Sequence, residues 1–136
     1  MSKLVIVTHG RMASGMKSSI DLFFPDAVHV VAVDAYADER NVWNEIEAVM
    51  ETTEDAEQII LMSDFLGGSV NQKLISYLSR SNVFLISGIN LPLLLELAAD
   101  PSRYWDKDSL NLLIQEAQKA MQLILSETNE ETEEFF

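Results

Sequence analysis

Four short apolar runs punctuate the chain, at 4–8, 28–33, 59–63 and 83–87. They are rich in Val and Ile and scarcely alternate with polar residues, which is the pattern of parallel strands covered on both faces. Between them the period becomes helical. Met12, Met16, Ile20 and Phe23 share one helix face, Val42, Ile46 and Val49 form a second stripe, and Ser69, Val70, Leu74 and Tyr77 begin a third. Asp38 is the predicted N-cap of the second helix. Asn90-Leu91-Pro92 reads as a capped start with proline in the first turn, and Asp100-Pro101 ends that helix. Asp108 is the predicted cap of a last helix that carries Leu110, Leu113, Ala117, Met121 and Ile124 through residue 125. Strands alternating with helices imply right-handed crossovers. The expected fold is α/β: a single doubly wound domain, with a mainly parallel central sheet flanked by helices on both faces.

Composition narrows the function classes. At 136 residues and 48% hydrophobic, the chain suits one domain with a sizeable core, and no repeat or Pro/Gly/Ser-rich linker divides it. No stretch approaches the ~20 apolar residues of a membrane span, and the N-terminus lacks the apolar core of a signal peptide, so a cytoplasmic protein is expected. The absence of cysteine excludes disulfides and thiolate chemistry, and two histidines, His9 and His29, are too few for a histidine-rich metal site. Neither a metal nor a cofactor is expected. A net charge of −13 argues against nucleic acid and favours a basic protein partner. Part of that charge, Glu127, Glu130, Glu131, Glu133 and Glu134, lies in a solvated acidic tail spanning 126–136.

Chemistry gathers where strands end. Thr8-His9, Asp34, Asp64 and Ser87-Gly88 would open onto one edge of the sheet, where open α/β sheets collect their ligands. Gly67-Gly68-Ser69 would start a helix at the same edge, so its backbone amides could receive an anion such as a phosphoryl group. A neutral imidazole is a nucleophile at one nitrogen only, and a carboxylate that accepts the N–H of the other decides which. Asp64 suits that role towards His9. Taken singly, each feature has an ordinary reading: a loop histidine, a capping aspartate, a glycine turn. Their joint placement favours phosphoryl transfer, which asks for alignment and charge stabilisation. His29, inside an apolar run, reads as a core residue, while Asp34 reads as a cap or a pocket wall.

Rival readings fail on spacing. Gly10-Arg11-Met12-Ala13-Ser14-Gly15-Met16-Lys17-Ser18 nearly matches a nucleotide-binding P-loop, but Met16 stands between the second glycine and the lysine. A receiver domain would need acidic residues after the first strand, where Thr8-His9-Gly10 stands. A histidine phosphatase would carry arginine where Thr8 stands, and Gly10 with Gly15 has the wrong spacing for a dinucleotide fold. A non-catalytic binding module on the same sheet remains the competing class.

The strand leading into Thr8-His9-Gly10, the strand leading into Asp64-Phe65-Leu66-Gly67-Gly68-Ser69, and Ser87-Gly88-Ile89-Asn90-Leu91-Pro92-Leu93-Leu94 resemble, in that order, one known family. It is the enzyme IIA component of the mannose, fructose and sorbose class of the bacterial phosphoenolpyruvate-dependent sugar phosphotransferase system. The resemblance implies a mannose-type IIA domain over residues 1–125. It implies that His9 takes a phosphoryl group from the histidine phosphocarrier protein and passes it to enzyme IIB, which serves sugar import through the membrane subunits IIC and IID. Asp64 would hydrogen-bond His9, with Thr8, Gly67, Gly68 and Ser69 around the phosphoryl site. Family members are typically homodimers in which a C-terminal segment adds a strand at the subunit contact. Arg11 replaces an aromatic residue found in some relatives, and Phe65-Leu66 stands where mannose-type members often carry tryptophan. The phosphotransfer subunit that feeds dihydroxyacetone kinase has a similar domain and would imply a kinase partner instead.

Overall fold

The computed structural model of the protein describes residues 2–126. Four strands, β1 (Ser2–His9), β2 (Val30–Ala35), β3 (Gln58–Ser63) and β4 (Val83–Ser87), pair in parallel in the order β2-β1-β3-β4. Five helices accompany them: α1 (Met12–Phe23), α2 (Trp43–Thr52), α3 (Ser69–Ile75), α4 (Leu91–Ala99) and α5 (Lys107–Gln118), with a 3-10 turn at Ser76–Ser79 after α3. The alternating sides of each pleat explain two apolar layers. Leu4, Ile6, Ile60 and Met62 pack with Ala13 and Ile20 of α1, Leu94 and Leu97 of α4, and Leu110 of α5. Val5, Val7, Ile59 and Leu61 face the other way, onto Ile46 and Met50 of α2 and Val70 and Leu74 of α3. This is the doubly wound α/β sheet expected. No described helix is long and apolar enough to cross a membrane.

Several local expectations are corrected. β2 begins at Val30 rather than at 28, because a turn with Val28 N–H donating to Asp26 O and Val30 N–H to Ala27 O occupies the preceding residues. Phe23 points outward at 60% exposure, and Phe24, four residues beyond Ile20 rather than three, packs on the core in its place. Asp38 does not cap α2. Its carboxylate accepts from the Arg40 backbone and guanidinium, and Val42 holds the N-cap position. The last helix starts one residue before Asp108, capped by Asp106 through a reciprocal bond with Ser109. It stops at Gln118 instead of running to 125. Ala117 is the last residue of α5 in the core, and a helix without an apolar face to bury loses most of its stabilisation. Met121, Leu123, Ile124 and Leu125 consequently lie outside any helix and are exposed. Apart from Ser126, the acidic tail lies outside the described residues.

His29 is half-buried at the entry to β2, with Nε2 buried and without a hydrogen-bond partner among the described residues. Burial lowers its pKa from 6.5, a backbone contact with Ala98 opposes the shift, and Lys17 adds to it. Because the unfolded chain binds the proton more readily, the neutral ring contributes its full stability above pH 6.5, and the contribution is lost as pH falls below that value. Thermal melts between pH 7.5 and 5 should therefore show His29→Phe losing less stability on acidification than the wild type, by roughly 1–3 °C.

Candidate active site

β1 connects through α1 to a neighbour on one side, while the next strand of the chain, β3, lies on its other side. The chain thus reverses its winding direction at β1, and a crevice opens between the carboxyl ends of β1 and β3. His9 ends β1, and Asp64 directly follows β3. They meet there. Asp64 Oδ2 accepts from the His9 backbone N–H at 2.9 Å and lies 2.8 Å from His9 Nδ1.

That double contact sets the state of both groups. Burial is the largest influence on Asp64 and works to raise its pKa, but the hydrogen bonds from the His9 backbone and ring outweigh it, and the net value falls below the usual carboxylate one. An ionised carboxylate only accepts, so His9 Nδ1 carries the proton. Nε2 is left with its lone pair, 3.1 Å from Ser69 Oγ, which can donate to it. The imidazole side chain is 35% exposed and the carboxylate 11%, so the acid stands behind a ring that a partner can reach.

Gly67, at φ 82, turns the chain from β3 towards α3, and Gly68 occupies the N-cap position without any side-chain acceptor for the first amides of the helix. Gly68 has a second task. A Cβ there would lie 2.8 Å from Phe65 Cζ, so the absence of a side chain makes the seat for the Phe65 ring. Phe65 in turn stacks on His9 with centroids 5.3 Å apart and 27° between planes. Tyr36, which follows β2, approaches the same imidazole at 5.4 Å and 30°. Sequence reading noted Phe65 only as standing where mannose-type members often carry tryptophan, and missed Tyr36. The available signal was an aromatic placed two residues beyond Asp34, a strand-end acid.

The remaining candidates serve α1. Thr8 is fully buried, and its Oγ1 accepts from Ala13 N–H at 2.7 Å. Asp34 takes Ser14 N–H at 2.9 Å and Ser14 Oγ–H at 2.6 Å. These bonds occupy amides that a P-loop would offer to a nucleotide, which gives the nucleotide reading a second, structural objection. Arg11 is exposed at the N-cap of α1, and its carbonyl accepts from Ser14 Oγ and Gly15 N–H. At the next strand end, Ser63 Oγ donates to Asn71 Oδ1 at 2.9 Å and lies 2.9 Å from Ser87 Oγ, which ties α3 and β4 to β3.

The class is that of a parallel α/β sheet whose switch point presents a histidine backed by an aspartate. The family it belongs to is recognisable: residues 3–112 match the family of the phosphotransferase system fructose IIA component, and the chain is a member. Membership implies phosphotransferase activity within a sugar phosphotransferase system. The fold is similar to that of a protein from Klebsiella pneumoniae described as a phosphoenolpyruvate-dependent sugar phosphotransferase system permease, with TM-score 0.76, 25% identity, and 90% of each chain covered. A phosphotransferase IIA protein associated with the fucose utilization operon of Streptococcus pneumoniae has TM-score 0.72 and 22% identity, over 90% of this chain and 92% of that one. A mannose/sorbose specific IIA subunit from Enterococcus faecalis gives 0.64 and 22%, over 91% and 95%. No curated protein is recognisably similar in sequence.

The Gly68 seat is directly testable. Its backbone, at φ −71 and ψ 164, suits alanine, so Gly68→Ala should fold with stability changed by no more than about 0.5 kcal/mol. The added methyl should nevertheless push Phe65 off His9, which would appear as the loss of the ring-current shift on the His9 ring protons in NMR spectra.

Proposed function

We propose that the protein is a phosphoryl carrier of a sugar phosphotransferase system, accepting phosphate on His9 Nε2 from the histidine phosphocarrier protein and passing it to an enzyme IIB component. Family membership supports the general role, and the contact of Asp64 with His9 Nδ1 at 2.8 Å is the observation that carries the particular one. As the donor's P–N bond breaks, the Nε2 lone pair forms the new one. No proton needs to leave, because Nδ1–H stays on Asp64 while the ring becomes cationic. The carboxylate therefore stabilises the phosphorylated form more than the resting one, the condition for an effect on rate. The amides of Gly67, Gly68 and Ser69, with the Ser69 hydroxyl, are the proposed cradle of the phosphoryl oxygens. Thr8 supports it from behind by fixing the start of α1. The carrier works in the cytoplasm and reaches the membrane IIC and IID subunits only through enzyme IIB.

The same reading includes a homodimer. β4 is an edge strand with one flank unpaired among the described residues. Asn90 Nδ2 donates to Ala117 O at 2.8 Å, which brings the end of α5 beside the loop that leaves β4. From there Met121, Leu123 and Ile124 run on, exposed and non-helical. An apolar segment of this kind suits the open edge of a second copy, which it would cover as an added strand. Leu123→Asp combined with Ile124→Asp should shift the sedimentation profile from dimer to monomer; a wild type that sediments as a monomer at micromolar concentration would end the dimer reading.

Incubation with phosphoenolpyruvate, enzyme I and the histidine phosphocarrier protein should give an acid-labile, base-stable adduct at position 9, absent in His9→Ala. Asp64→Asn should retain the fold but transfer about 10–100-fold more slowly, the effect of losing one charge-assisted hydrogen bond of ~1.5–3 kcal/mol. A normal rate in that variant would remove Asp64 from the mechanism. Transfer onward to a dihydroxyacetone kinase rather than to enzyme IIB would reassign the acceptor.

A further inference from the structure

Neither the acceptor nor its orienting acid explains Tyr36. The residue adopts φ 61, a left-handed conformation in which a large side chain crowds its own backbone. The other described non-glycine residue with positive φ is Asp26, a type that tolerates it. Tyr36 is 60% exposed, so burial does not compensate the strain. What the conformation secures is a place beside His9, with ring centroids 5.4 Å apart. β2 and β3 are the two neighbours of β1, and each sends one aromatic ring, Tyr36 or Phe65, to the same imidazole. Backbone strain held at such a point is a mark of function rather than of packing.

We propose that Tyr36 is a positioning residue for phosphoryl transfer, an inference that rests on His9 being the phosphoryl acceptor. A single hydrogen bond from Nδ1 to Asp64 fixes one corner of the imidazole but lets the plane rock about that bond. A ring against its face opposes the rocking and keeps Nε2 directed at Ser69. Charge adds to this. When Nε2 bonds to phosphorus and the donor's P–N bond breaks, the imidazole keeps Nδ1–H and becomes cationic, and an aromatic neighbour within about 6 Å stabilises that cation but not the neutral ring. The strained backbone of Tyr36 thus belongs to the resting protein, and its benefit to the transition state and the phosphorylated product.

The experiment compares wild type, Tyr36→Phe, Tyr36→Leu and Tyr36→Asn in phosphorylation by phosphoenolpyruvate, enzyme I and the histidine phosphocarrier protein, with rates taken over a range of donor concentration. Tyr36→Leu and Tyr36→Asn should lose about 3–10-fold in the rate at saturating donor, with KM for the donor unchanged. Tyr36→Phe, which keeps the ring, should restore the rate. Tyr36→Asn should melt at or above the wild-type temperature, because asparagine accepts the left-handed backbone; a purely structural tyrosine would instead lower the melting point. An unchanged rate in Tyr36→Leu, a loss confined to KM, or a Phe variant as slow as the Leu variant would each overturn the proposal. Failure of the wild type to become phosphorylated at His9 would overturn the carrier reading itself, whereas normal phosphorylation of both wild type and Tyr36→Leu would remove only Tyr36.

Discussion

One carboxylate oxygen holds the functional end of this molecule together. Asp64 Oδ2 accepts both the backbone N–H and the ring nitrogen of His9, so it joins the last residue of β1 to the loop after β3 and sets the imidazole tautomer at once. A contact that joined only the side chains would leave the His9 backbone N–H untied to the loop after β3. One that joined only the backbone would leave the ring free to choose its tautomer. The pKa of Asp64, held below the usual carboxylate value against the effect of burial, shows the hydrogen bonds prevailing over desolvation.

The sheet order makes that contact available. With β1 between β2 and β3, residues after all three strands converge on one crevice. Thr8 and Asp34 cap α1 from the strand side, which frees Arg11 and the loop around it from capping. Gly68 leaves the start of α3 without a side-chain cap and gives its space to Phe65. The two helix starts therefore differ: the first has amides occupied by side-chain acceptors, and the second has no side-chain cap.

Most of this was legible in the chain, and the reasons for the exceptions are physical. Continuous Val and Ile runs identify strands buried on both faces, and His9, Asp64 and Gly67 to Ser69 stood out because strand ends in such a sheet share an edge. Element boundaries were less legible. Asp38 and Asp108 have the side chains of caps, but Arg40 engages the first and Asp106, two residues earlier, forms the reciprocal bond with Ser109. The apolar period through Met121 and Ile124 continues that of α5, yet past Ala117 no described residue joins the core. Periodicity reports which face is apolar, not what will bury it. Tyr36 escaped for a related reason, since what marks it is a positive φ and a ring contact across strands, neither of which has a sequence period.

On the proposed reading the molecule hands its cargo between two proteins, and such a carrier cannot use the device by which many enzymes stabilise charge, a closed site from which water is excluded. The nucleophile of such a carrier has to stay accessible, and the 35% exposure of the His9 side chain against 11% for Asp64 is in keeping with that demand. Stabilisation must then come from behind the ring and from its flanks. Asp64 occupies the rear, while Phe65 and Tyr36 lie along the ring, leaving Nε2 and the Ser69 side open. Each of these groups acts more strongly on a cationic imidazole than on a neutral one. Their combined effect would therefore favour a phosphorylated ring, and it would require no closing motion that slows the exchange of one partner for the next.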